Sequence, residues 1–513
     1  MAAQRSGGRP LAGLRLGAAP LLLLAARPRA AVGRFEYDAE ARVESARLFG
    51  NVDQYAYYFT DLLVGSPRQQ RTSVIIDTGS RLVGFPCGGE CEHCGSHLDP
   101  GYDTSQSGSL SWQTCTDCPG SCSKDQDRCP YKESYAEGSE ISGFWFDDMV
   151  ELGDAFSKNP PVRVTLGCHT NENKLFYSQR ANGIMGLAPT TGVPNRPAFL
   201  ESMFQDTAHV NTDVFAICLA TWGGRLTVGG YNSSYHLGGG GGELHWVAMN
   251  AGHYYYVSPR GLSLGGPSPV ELVYGPDSFG YTIVDSGTTY TYFPEAVYAR
   301  LAGALALFCE QAQHGAVQVE DGCWDLDGDE AVDAFPPITF EFAEANIDWW
   351  PRSYLHRREG QTWCLAFQPS GTKQTVLGIS FMQHKDDVVF DLGGARLGVA
   401  DAACPEYREQ PAFEQKFSAG PAAPRLGASL RAGSSRAAEP ARTALAGAAA
   451  RPGLASVGAA AALAAASLAA LRARWAGRCA AHSGGGGEDE ASLVALADEA
   501  GRRSGLAAAA EAL

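Results

Sequence analysis

Val74-Ile-Ile-Asp77-Thr-Gly-Ser80 and Thr282-Ile-Val-Asp285-Ser-Gly-Thr288, whose aspartates lie 208 residues apart (285 − 77), are two copies of one pattern. In each copy a short apolar run reads as a buried strand and ends in an aspartate, a hydroxyl residue, a glycine and a second hydroxyl residue. Gly79 and Gly287 let the backbone turn tightly, so that each aspartate projects from a strand end. A further element recurs downstream of each copy, Asn182-Gly-Ile-Met-Gly186-Leu in the first half and Val376-Leu-Gly378-Ile in the second. A repeat at domain scale predicts two similar lobes, each offering one carboxylate. Two carboxylates forced together cannot both ionise comfortably and share a proton. The ionised member then acts as general base on a water while the protonated member polarises a carbonyl. That chemistry calls for no metal and no organic cofactor.

Outward from the two copies, the chain from about 47 to 404 is dense in short β-rich runs such as Ser73-Val-Ile-Ile and Ala216-Ile-Cys-Leu, with glycine-rich turns between them. This predicts a mostly β body, with an N-terminal lobe over 47–215 and a C-terminal lobe over 216–404. One helix is expected over Pro294 to Glu310, where Val297, Leu301, Leu305 and Phe308 recur at helical spacing. At 513 residues the chain exceeds one ordinary domain and accommodates two lobes with tails. Its formal charge of -16, with no basic stripe, excludes nucleic acid as a partner.

The ends read differently from the body. Arg5, Arg9 and Arg15 precede an apolar stretch around Leu21-Leu22-Leu23-Leu24, followed by Ala30 and Ala31, so residues 1–31 are expected to be a secretory signal. Residues 405–452 form a low-complexity linker of Pro, Ala, Gly and Arg. Gly453 to Leu471 then carries no charge and is followed by Arg472, Arg474 and Arg478, as expected of a single membrane span. The tail, 472–513, reads as a disordered cytosolic segment. Entry into the secretory pathway, at the endoplasmic reticulum or Golgi with the catalytic body in the lumen, follows from these signals.

The chain has 14 cysteines, seven of them between Cys87 and Cys129. Cys91-x-x-Cys94 and Cys115-x-x-Cys118 have zinc-knuckle spacing, but an oxidising compartment and three further cysteines in the run favour a disulfide-stapled subdomain over 87–129. Setting aside Cys479 leaves an odd 13, so one thiol is expected to be free or to pair with another chain. Asn232-Ser-Ser is the N-glycosylation sequon.

From about Tyr57 to Cys404 the chain resembles the pepsin family of aspartic proteases. The family's elements occur in order: the Asp-Thr-Gly-Ser and Asp-Ser-Gly-Thr copies, a flap-like Ser134-Tyr135-Ala-Glu-Gly-Ser139, Val228-Gly-Gly-Tyr, and Val389-Phe-Asp-Leu. The resemblance implies a bilobed β fold with the active-site cleft between the lobes and an endopeptidase activity on protein or peptide substrates. It implies Asp77 and Asp285 as the catalytic pair, and Tyr135, with Gly138 and Ser139, as the flap that closes over bound peptide. Thr78 and Ser286 would brace the two active-site loops, and Ser80 and Thr288 would bond the outer carboxylate oxygens. It further implies disulfides Cys323–Cys364 and Cys309–Cys404, and a monomeric enzyme.

The stretches Gly50-Asn-Val-Asp-Gln-Tyr-Ala-Tyr-Tyr-Phe59, Cys91-x-x-Cys94-Gly-Ser-His97 and Gly167-Cys-His169 resemble the membrane-anchored plasmepsin V-type proteases, and the Cys-rich insert is also shared with nepenthesin-like plant enzymes. The plasmepsin V type implies cleavage after the leucine of Arg-x-Leu motifs, with Asp99 and Glu140 in place to read the arginine. Arg81 and Ala136 depart from that pattern, standing where a serine and a flap cysteine are expected, as does the Ala/Gly-rich tail. Two other readings are open: a broad digestive protease of the nepenthesin kind, and a non-catalytic binding protein on the same fold. The intact aspartates, hydroxyls and flap tyrosine argue against the last.

Overall fold

Val74, Ile75 and Ile76 are all buried and end the strand Gln70–Asp77. A strand apolar on both faces belongs in the middle of a sheet, and this one lies between Tyr57–Val64, antiparallel, and Gly183–Gly186, parallel. The second copy repeats the arrangement. Thr282–Val284 lies between Tyr255–Val257, antiparallel, and Thr375–Leu377, parallel. In both halves the parallel neighbour is next paired antiparallel with the strand that follows the aspartate loop, Val83–Pro86 in one and Thr291–Phe293 in the other. The sequence repeat is therefore a repeat of sheet topology.

The protein is described here from a computed structural model covering residues 42–410, apart from 117, 119–121, 155–156, 190–198, 208, 238–242, 266–269, 308–316 and 384–385. The expected signal segment, the expected span at 453–471 and the tail lie outside the described residues. Among the described residues no helix is long and apolar enough to cross a membrane. The fold of the described residues is mostly β, with four sheets among them, the largest of 14 strands.

The expected lobe boundary at 215/216 falls inside the strand Val214–Leu219. Every residue of that strand is buried, and it pairs with Gly224–Val228 on one edge and Asp386–Asp391 on the other. Strands from both ends of the body thus share one sheet. The helix begins as expected after Pro294, runs over Glu295–Ala306, and buries Val297, Leu301 and Leu305; Phe308 lies outside the described residues.

The flap region is an antiparallel hairpin of Pro130–Ser134 and Glu140–Leu152, the second strand extending along Val162–Glu172. In the Cys-rich insert Cys91 bonds Cys94, Cys115 bonds Cys122 and Cys118 bonds Cys129, while Cys87 bonds Cys168 on the strand Val162–Glu172. Both knuckle-like pairs are consumed in disulfides. Cys323 faces Cys364 on adjacent strands and is bonded to it. The expected Cys309–Cys404 bridge is replaced by Cys218–Cys404. After the strand Arg396–Asp401 the chain turns back across the hairpin at 219–224, where Tyr407 N–H donates to the Trp222 carbonyl, and this return carries Cys404 to Cys218. All the described cysteines are paired, and Cys309 lies outside the described residues.

Candidate active site

Each aspartate loop is held by its own backbone. Gly79 N–H donates to Asp77 Oδ1 at 2.8 Å and Gly287 N–H to Asp285 Oδ1 at 2.9 Å. The outer oxygens accept from hydroxyls, Ser80 to Asp77 Oδ2 and Thr288 to Asp285 Oδ2 at 2.6 Å. The loops then lock to each other through buried bonds that repeat with exchanged roles. Thr78 N–H donates to Ser286 Oγ (3.0 Å) and Ser286 N–H to Thr78 Oγ1 (2.9 Å). The two hydroxyls donate onward to Val284 and Ile76 carbonyls, both at 2.9 Å.

This lock brings the carboxylates face to face. A Cβ added to Gly79 would lie 2.5 Å from Asp285 Oδ1, and one added to Gly287 would strike the Asp77 carboxyl. The glycines are required here by close approach as much as by the turn. Asp77 is buried and Asp285 half-exposed. Burial first, and then the Asp285 charge and the hydrogen bond between the two side chains, push Asp77 well above the usual carboxylate range. The pair therefore holds one proton between them and titrates as a unit.

Over the dyad stands the hairpin turn. Tyr135 N–H donates to the Ser139 carbonyl, Gly138 N–H to the Tyr135 carbonyl, and Gly138 takes a left-handed φ of 84° at the tip. The Tyr135 ring packs 4.9 Å from Phe176. Its hydroxyl comes near Ser80 and Asp77 but makes no well-formed hydrogen bond. A buried hydroxyl left without a well-formed hydrogen bond near the Asp77 carboxyl is a donor awaiting an acceptor. The residues 57–402 match the family described as eukaryotic aspartyl protease.

The chain belongs to that family.

Among curated proteins the chain is similar to Aspartic protease 5 of Toxoplasma gondii, 35% identical over 417 residues that take in 71% of this chain and 38% of that protein. Plasmepsin V of Plasmodium falciparum is 27% identical over 71% of this chain and 76% of its own length. Aspartic proteinase nepenthesin-2 of Nepenthes gracilis is 24% identical over 68% of this chain and 78% of its own.

Two of the residues expected to touch substrate sit elsewhere in this aspartyl protease. Asp99 is buried and its Oδ1 is taken by Arg71, with Nε and Nη2 each at 2.8 Å. Its backbone is tied to Asn182, which donates to the Asp99 carbonyl and accepts from its N–H. The carboxylate is neutralised within the fold, so it is not available to a substrate arginine. Ser139 is fully buried and its Oγ accepts from Leu175 N–H, supporting the hairpin from beneath. Glu140 is half-exposed beside the turn and pairs with the exposed Lys132 at 2.8 Å. Asn232, half-buried, caps a short 3-10 turn through Ser234.

Some contacts around the site carried no sequence signal. Arg81, four residues past Asp77, lies 2.6 Å from His253 of the other half. Phe176 backs the flap tyrosine, and Tyr57 Oη receives the N–H groups of Arg180 and Ala181 just before the Asn182 element. Each depends on a contact across more than 40 residues, which no local pattern encodes.

Proposed function

We propose that this chain is an endopeptidase in which Asp77 and Asp285 act together on one water molecule. The observation that supports it most is the mutual packing of each carboxyl on the opposite loop's glycine, with one pair of oxygens fixed by backbone N–H groups and the other by Ser80 and Thr288. The resting dyad holds one proton; its ionised carboxylate takes a proton from the water as it attacks the scissile carbonyl carbon. The proton on the other carboxyl passes to the carbonyl oxygen, giving a tetrahedral diol. Its collapse returns a proton to the leaving nitrogen and restores the dyad. Tyr135 closes over the peptide, its unpaired hydroxyl donating to a polar group brought in with the substrate.

The substrates are proteins of the secretory pathway, cut after an apolar residue that follows an arginine by two positions. Glu140 reads the arginine by exchanging Lys132 for the incoming guanidinium, a planar donor that pairs two-pronged with a carboxylate. The resemblance to plasmepsin V-type proteases and the acidic group beside the flap support this reading. A disulfide-rich insert fits an oxidising lumen, Gly453 to Leu471 is the membrane anchor, and Asn232 carries the glycan. The test is cleavage profiling of the purified protein on a peptide library. Arginine two residues before the apolar cut position, with Arg→Ala reducing kcat/KM about tenfold or more and Arg→Lys also reducing it, is the expected result. A profile set by apolar residues alone would instead indicate a broad digestive specificity.

A further inference from the structure

Glu172 ends the strand Val162–Glu172 and is fully buried, which an ionised carboxylate tolerates only among donors. Three converge on it: His97 Nε2 at 3.0 Å and Gly95 N–H at 3.3 Å on Oε2, and His169 Nδ1 at 2.8 Å on Oε1. His97 has a second acceptor, the Gln179 carbonyl, 3.1 Å from Nδ1. With an acceptor at both ring nitrogens, His97 must carry both protons and is an imidazolium. His169 has an acceptor at one nitrogen, Glu172 Oε1, and its buried Nε2 has no hydrogen-bond partner among the described residues. The His97 imidazolium and the Glu172 carboxylate thus form an ion pair closed off inside the fold.

The cluster lies between the Cys-rich insert and the flap. On the insert side, Glu172 N–H donates to the His93 carbonyl, His93 Nδ1 donates back to the Glu172 carbonyl at 2.7 Å, and Gly95 and His97 follow Cys94 directly. On the flap side, Asn173 brackets Glu140, accepting its N–H on Oδ1 at 2.7 Å and donating to its carbonyl at 3.1 Å. Leu175 N–H donates to Ser139, and Phe176 packs between Tyr135 and His169. We propose that Glu172, clasped by His97 and His169, is a positioning residue that fixes the flap hairpin over the dyad by fastening it to the Cys91–Cys94 loop. This rests on the reading of Tyr135 as the flap.

The titratable groups facing Glu172 are His97 and His169, with His93 on its backbone and Tyr131 nearby, the last held neutral by burial. Burial works against the charge of His97, but the Glu172 hydrogen bond and charge outweigh it and raise its pKa. Its contribution is therefore complete below the ordinary histidine value of 6.5 and lost as pH rises through the raised value. Burial likewise opposes Glu172, but His169 and His97 lower its pKa, so its contribution is complete above the ordinary glutamate value of 4.5 and lost as pH falls through the lowered value.

The test compares the full chain with Glu172→Gln by hydrogen exchange across 132–142 and by KM and kcat over pH, using a peptide that the unmodified enzyme cleaves. Flap amides should exchange about tenfold faster, as local opening becomes easier. KM should carry most of the kinetic loss. The unmodified enzyme's KM should rise as His97 deprotonates, and the variant's should not. Should Glu172→Gln not fold, His97→Gln, which keeps a donor but no charge, takes both readouts. Unchanged flap exchange and KM in a folded variant, even with lowered thermal stability, would overturn the proposal. Exchange does not depend on cleavage, so a missing arginine preference or an inactive dyad fails separately from the clasp.

Discussion

Asp77 is the buried member of the pair, and burial together with the Asp285 charge raises its pKa. A group with a raised native pKa stabilises the fold while protonated, and that contribution is lost as pH rises through the native value. Asp77→Asn removes the titration and keeps the shape. We expect Asp77→Asn to be inactive yet to melt higher than the unmodified enzyme at pH 7, with the gap closing as pH falls towards 3. Melting curves across that range decide it; an unchanged gap would mean the burial is not felt as a charge. Activity should vanish equally in Asp285→Asn, and the double substitution should be no worse than either single one, because the carboxyls act as one unit. Folded Asp285→Asn with substantial peptidase activity would remove the dyad. At the same scale, Glu140→Gln should flatten the arginine preference and leave cleavage of arginine-free peptides as it was, read by kcat/KM on paired substrates.

At the scale of elements, two strand-end loops from distant parts of the chain hold one another through Thr78 and Ser286. Thr78 Oγ1 both donates to Val284 and accepts from Ser286 N–H, inside a region closed to water. Thr78→Val keeps the volume and strands both partners. Each buried group left unpaired costs about 1–3 kcal/mol. The expected outcome is a loss of roughly 2–6 kcal/mol in denaturant unfolding with a fall in kcat, since the carboxyl separation is set by this contact. A kcat unaffected by the substitution would show that the carboxyls are held apart from the lock. These loops were legible beforehand because an apolar strand, a tight turn and a hydroxyl are local features. The fate of Asp99 was not, since its partner Arg71 lies on another element and its burial depends on Asn182.

For the molecule as a whole, residues 405–410, just past Cys404, belong to the body. Tyr407 lies against Phe49, bonds Arg225 and is capped by Arg47, Arg408 stacks over Trp222, and Gln410 donates to Asp61. Asp61 is fully buried, and burial above all raises its pKa to about 7. A truncation after Gln410 should keep the melting temperature of the body, whereas one after Cys404 should lower it. Equal melting of the two would show that the return segment is only lightly attached. Cys404→Ser should cost about 2–5 kcal/mol, because Cys218–Cys404 closes a loop of 186 residues.

The sequence alone determined the twofold design: two apolar strands, two aspartates and two downstream glycine elements state it, since strand, turn and hydroxyl preferences act over a few residues. It also determined the β class and a disulfide-bonded insert. Tertiary structure decided what depends on distance through space. Cys404 joins Cys218 because the chain returns across the 219–224 hairpin, the halves share a sheet through Val214–Leu219, and Asp99 meets an arginine of its own chain before any substrate can. His97, Glu172 and His169 were visible as letters, but a carboxylate chooses its donors by proximity, and proximity between residues 75 apart is set only when the sheets are packed.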